Sequence, residues 1–92
     1  MNATLVSYIL KSKNRKKVLE LLDKPKTTSQ LVKSTDMYTT HAHRTIRELK
    51  EKKLVVQENP NDGLYKFYKM SPLGKKVLSD VKKVKEEIKY KK

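Results

Sequence analysis

Cysteine is absent from the 92 residues, which excludes disulfides, thiolate metal sites and cysteine nucleophiles. Glycine occurs twice, too rarely for a phosphate-cradling glycine loop. Acidic residues are also few, ten against 23 lysines and arginines, and the formal net charge is +13. Arginine itself is scarce. Arg15, Arg44 and Arg47 are the only three, so a fork of guanidinium donors has few places to occur. No run approaches the roughly 18–20 apolar residues that cross a bilayer. The stretch from Leu5 to Leu10 has no basic region before it and contains Ser7 and Tyr8, unlike a secretory leader. The expected location is therefore the cytoplasm.

What remains is a basic chain whose charges repel one another. Such an excess fits a polyanion as the usual partner, nucleic acid first and an anionic membrane surface second. Hydrophobic residues make up 36% and are patterned. The length fits one domain, residues 1–92.

Leu5, Val6, Ile9 and Leu10 share a helical face over residues 3–11. Ser12 or Asn14 caps a second helix that runs to about Asp23, with Val18, Leu19, Leu21 and Leu22 inward and an extended Lys-Pro-Lys stretch after it. Thr27 and Gln30 form a capping box that opens a short helix with Leu31 and Val32 buried. Ser34 to Met37 is a turn in which Asp36 is the candidate left-handed residue. Thr39 or Thr40 starts the next helix. There Ala42, Ile46 and Leu49 point inward and Thr40, His41, His43, Arg44 and Arg47 point outward.

Leu54-Val55-Val56 reads as a strand and Leu64 through Met70 as a second, joined by the turn signal Asn59-Pro60-Asn61-Asp62-Gly63. Ser71-Pro72 caps a final helix carrying Leu73, Val77, Val81, Val84 and Ile88. The expected fold is mainly α with a small β-hairpin. Its order of helix, helix, turn, helix, strand, turn, strand, helix is the winged helix-turn-helix pattern with flanking helices at both ends.

The segments SKNRKKVLELL, TTSQLVKSTDMYTTHAHRTIRELKEKKLVV and LYKFYKMSPLGKKVL resemble the small winged helix-turn-helix regulators of archaea and, more distantly, MarR-type repressors. In those proteins a recognition helix leads into LeekgLV, a wing follows, and Y-x-L-T-x-x-G opens the last helix. The last motif stands here as Tyr68-Lys69-Met70-Ser71-Pro72-Leu73-Gly74. The resemblance covers roughly residues 12–80. Val32 replaces a usual small residue, Asp36 a usual glycine, and Lys52-Lys53 a usual Lys-Gly pair. It implies that Tyr38 to Arg47 read DNA and that Asn59 to Lys66 form the wing.

A helix that enters a major groove about 12 Å wide needs donors on the face turned from the core. The candidate set for double-stranded DNA is Thr28, Ser29, Tyr38, Thr39, Thr40, His41, His43, Arg44, Arg47, Lys50, Asn61 and Lys66. Arg44 is the first choice for base reading, because a guanidinium can bond a guanine in two places. The expected role is a sequence-specific transcription regulator. A chromatin-like DNA coater, a protein–protein adaptor and an RNA binder are the alternatives.

His41 and His43 stand at i, i+2 and point to different sides, whereas a helical metal pair needs i+3 or i+4. No metal or cofactor is expected, and no effector pocket is marked. Tyr65, Phe67 and Tyr68 suit cross-strand packing better than base stacking. Glu48, Glu51, Glu86 and Glu87 have lysines or an arginine at i±3 or i±4, which makes them surface ion pairs rather than acid–base catalysts. No serine has a histidine–acid relay, so an enzyme is not expected. Val77, Val81, Val84 and Ile88 repeat at coiled-coil spacing. With Leu5 and Ile9 they form the candidate homodimer surface, built from residues 1–11 and 76–92.

Overall fold

The computed structural model describes residues 2–58 and 66–90, with side chains as far as Val84. Asn61, Tyr65 and the rest of the turn between the strands lie outside the described residues, as do the side chains of Glu86, Glu87 and Ile88. The elements follow the expected order: α1 (Ala3–Leu10), α2 (Lys13–Leu21), α3 (Thr28–Ser34), α4 (Thr39–Glu51), β1 (Val55–Gln57), β2 (Tyr68–Met70) and α5 (Pro72–Tyr90). This is the winged helix-turn-helix fold, mainly α with a two-stranded antiparallel sheet.

Short polar side chains set the helix starts. Asn2 accepts from the Leu5 amide at 3.1 Å and Ser12 from the Arg15 amide at 3.2 Å. At α3 the capping box is complete: Thr27 Oγ1 accepts from the Gln30 amide, and Gln30 Oε1 from the Thr27 amide. The turn after α3 contains no left-handed residue, contrary to the expectation for Asp36. Thr35 makes the turn in an extended conformation. Its hydroxyl donates to the Leu31 carbonyl at 2.9 Å and accepts from the Met37 amide at 3.2 Å, so no positive φ is required.

The one non-glycine residue with positive φ among the described residues is Lys53, at 61°. It sits where α4 ends. The Leu54 amide bonds back to the Leu49 carbonyl and the Lys53 amide to the Lys50 carbonyl, which is the Schellman arrangement. Leu54 and Leu49 are fully buried and supply the apolar contact that goes with it. This motif normally holds glycine at the left-handed position.

β1 and β2 pair in the register Val55 with Met70, Val56 with Lys69 and Gln57 with Tyr68. β1 is shifted by one residue from its hydrophobic run, and β2 is shorter than the run that ends at Met70. Leu54 leaves the ladder because its amide closes the end of α4, while its carbonyl accepts from the Ser71 amide. On the far edge of β2, Lys26 exchanges two backbone hydrogen bonds with Tyr68, at 3.0 and 2.8 Å. The extended segment after α2 thus joins the edge of the sheet through a single-residue bridge.

One core joins these pieces. Val18, Leu19 and Leu22 of α2 and its end, Leu31 of α3, Ile46 and Leu49 of α4, and Val77, Leu78 and Val81 of α5 all belong to it. Val32 is only half-buried, because α3 is two turns long and meets α4 along the single stripe that holds Leu31. The helix α1 packs on α5 and adds Val6 and Ile9. This corrects the dimer assignment for three residues. Ile9, Val77 and Val81 are 0–1% exposed within one chain, so these three apolar side chains are covered inside the protomer. Leu5 and Val84 are half-buried, and Leu10 and Leu73 remain exposed at 38% and 37%.

Candidate nucleic-acid interface

The thirteen residues of α4 divide into two faces. Ala42, Thr45, Ile46 and Leu49 are buried, and the Thr45 hydroxyl is turned back onto the His41 carbonyl at 2.8 Å. Thr39, Thr40, His41, His43, Arg44, Arg47 and Lys50 are exposed, as the periodicity leads one to expect. Tyr38, the N-cap, offers no side-chain cap and projects 76% exposed. Its ring meets His41 edge-on at 5.7 Å. The first amides of α4 therefore receive no cap from the N-cap side chain, and such groups suit an anion.

Concave surfaces flank this ridge. On the hairpin side, a groove of about 510 Å³ is lined by His43, Ile46, Arg47, Lys50 and the acidic Glu51 of α4 together with Lys66 and Tyr68. The Lys50 ammonium lies 5.7 Å from the Tyr68 ring centre. On the α2 side, a smaller groove of about 270 Å³ holds His41 and Arg44 facing Asn14, Arg15 and Glu48. The two histidines thus open onto different grooves. Thr28 is half-buried and Ser29 exposed in the first turn of α3, away from these grooves.

Arg44 and Arg47 take part in none of the ion pairs among the described residues. Arg15 differs entirely. Its guanidinium stacks 3.8 Å over the Tyr8 ring, donates to the Tyr8 carbonyl at 3.0 Å and donates to Glu48 Oε2 at 3.0 Å. Burial pushes the Tyr8 phenol above its usual range, although the neighbouring Arg15 charge pulls it down. Sequence reasoning missed this clamp, because its three residues lie on α1, α2 and α4 with no motif linking them. It also corrects the reading of Glu48, which pairs across helices rather than with a lysine on its own.

Comparison with known proteins adds family and fold. The family described as HVO_A0261 N-terminal domain matches residues 4–92. No curated protein matches the chain. Several solved structures are similar. One is the homodimeric winged helix-turn-helix DNA-binding domain of a possible ArsR-family transcriptional regulator from Mycobacterium bovis, at 22% identity and TM-score 0.75, covering 91% of this chain and 78% of that one. A second is an S. aureus MepR mutant bound to an oligodeoxyribonucleotide, at 15% identity and TM-score 0.76, covering 94% and 68%. A third is the adhesin competence repressor of Streptococcus pyogenes, at 18% identity and TM-score 0.70, covering 92% and 70%.

Proposed function

Since the chain belongs to the HVO_A0261 N-terminal domain family, we propose that it is a double-stranded DNA-binding transcription regulator, without catalytic chemistry, that reads base sequence through α4. One observation carries this reading. Arg44 and Arg47 stand on the exposed face of a helix whose opposite face is locked into the core, and neither is taken by an ion pair among the described residues.

In this mechanism α4 lies in the major groove with Thr40, His41, His43, Arg44 and Arg47 toward the base edges. Arg44 donates both guanidinium nitrogens to a guanine, a contact that contributes on the order of 1–3 kcal/mol of discrimination. Tyr38, Thr39 and the first amides of α4 meet a backbone phosphate, as do Thr28 and Ser29 at the start of α3. Lys50, Lys66 and the segment around Asn61 follow the adjacent backbone on the hairpin side. The remaining lysines add attraction without sequence preference. Such a protein works on the chromosome, in the cytoplasm.

The regulator acts as a homodimer in this reading, its α1 and α5 helices meeting a second copy. Among the described residues, Leu5, Leu10 and Val84 are apolar side chains on these helices that the protomer leaves partly uncovered. Two copies related by a two-fold axis would set their α4 helices about 34 Å apart, one DNA turn, and favour an inverted repeat.

The deciding experiment is selection of bound duplexes from a random pool, followed by titration with wild type and Arg44→Ala. The expected result is an enriched site held about a thousandfold tighter than random DNA, with preference at one base pair lost in the variant. A pool that stays random refutes sequence reading. The abundance of lysine and the +13 charge favour one second reading, a coater of DNA. It predicts equal affinity for all duplexes with a steep salt dependence.

A further inference from the structure

Glu48 is the one acidic residue that lines the groove holding Arg44, and it stands four positions after Arg44 on the same helix. At that spacing two opposite charges on a helix surface are neighbours and attract. An Arg44 paired in this way would bring a bound carboxylate to any nucleic acid. Glu48 is instead drawn the other way, its Oε2 held at 3.0 Å by Arg15 from α2. Arg15 is well placed to hold it. Its guanidinium is anchored on the Tyr8 ring and carbonyl, and its side chain is only 18% exposed against 28% for Glu48. A partly buried, pre-organised fork outcompetes the flexible and more solvated pair that Arg44 could offer.

We infer that Arg15 is a positioning residue for DNA recognition: it sequesters Glu48 and thereby keeps the Arg44 guanidinium free. The inference rests on the reading of Arg44 as a DNA contact and deepens it by naming what controls that contact. Arg15 touches no base in this scheme. Its removal acts through Glu48, which turns to Arg44, competes with the guanine and brings negative charge toward the phosphates.

A thermodynamic cycle tests this. Arg15→Met, Glu48→Gln and the double variant are titrated against the selected duplex, with thermal melts confirming that each is folded. Arg15→Met alone is expected to weaken binding about two- to fivefold, the range of a surface ion pair. In the Glu48→Gln background the same change is expected to have less than a twofold effect, because no carboxylate is left to release. A role in folding alone predicts equal losses in both backgrounds, and that result overturns the inference. A second arm needs no DNA. In Arg15→Met, or in Arg15→Lys should the first fail to fold, the Arg44 side-chain resonances are expected to follow the titration of Glu48 by NMR. In wild type they are expected not to. Arg44 following Glu48 in both proteins, or in neither, overturns the inference. Absence of any duplex binding by wild type instead refutes the proposed function and leaves this second arm to decide.

Discussion

Gly74 lies in the first turn of α5, where alanine would ordinarily be the better helix former by about 1 kcal/mol. The tertiary structure reverses that expectation. A Cβ placed on Gly74 would overlap the backbone carbonyl oxygen of Leu54, and it would stand 3.1 Å from the carbonyl carbon. That carbonyl cannot swing aside, because it accepts the Ser71 amide at 3.0 Å. The neighbouring peptide is also held, its Lys53 carbonyl accepting from the Ser71 hydroxyl, which in turn caps the Gly74 amide. Gly74→Ala must therefore push the start of α5 away from the end of α4. Overpacking of this kind costs about 1–3 kcal/mol, and loss of the buried Ser71–Leu54 hydrogen bond about 1 kcal/mol more. Helix propensity offsets about 1 kcal/mol, leaving a net loss of about 1–3 kcal/mol. For a domain of this size the expected fall in Tm is about 5–20 °C, read by circular dichroism at 222 nm with urea unfolding as a check. A Tm equal to or above that of wild type would refute the close approach of α5 to Leu54.

Further outcomes follow from the same joint and its neighbours. Lys53→Gly removes the left-handed penalty of about 1–2 kcal/mol and returns part of it as unfolded-state freedom, so urea unfolding should show a gain of about 0.5–1 kcal/mol. Thr35→Val keeps the side-chain shape but strands the Met37 amide and the Leu31 carbonyl, and thermal unfolding should report a loss of about 1–3 kcal/mol. Sedimentation across a micromolar concentration series should give a dimer, and Leu10→Asp on the exposed end of α1 should shift it to monomer without a loss of helicity. A wild-type monomer at tens of micromolar would defeat the α1–α5 dimer.

Periodicity and capping chemistry are local, and they carried most of the fold. Ser12, the Thr27–Gln30 box and Ser71 mark helix starts through bonds reaching three residues, so no tertiary knowledge is needed to find them. The outward face of α4 was legible for the same reason. Once Ala42, Ile46 and Leu49 turn inward, the 3.6-residue repeat leaves His43, Arg44 and Arg47 outside. The sequence also carried a trace of the Lys53 strain, as a lysine where the winged-helix motif it resembles has glycine. The turn at Thr35 was misjudged, because Asp36 has the stronger local tendency while the hydroxyl beside it had two partners in reach.

Partnerships between distant segments belonged to the tertiary structure. Hydrophobic spacing along α5 says that Val77 and Val81 need a covering surface, but not whether that surface is a second chain or α1 of the same one. The answer is α1, because it folds back onto α5 within the protomer. Nor can a charge pattern foretell that Glu48 turns from its own helix to Arg15, 33 residues earlier, since attraction between unit charges depends on distance in space and not along the chain. The sequence by itself determined the elements and the basic face. The packing of α2 against α1 and α4 decided which of the three arginines is spent on holding the protein together and which two remain outward.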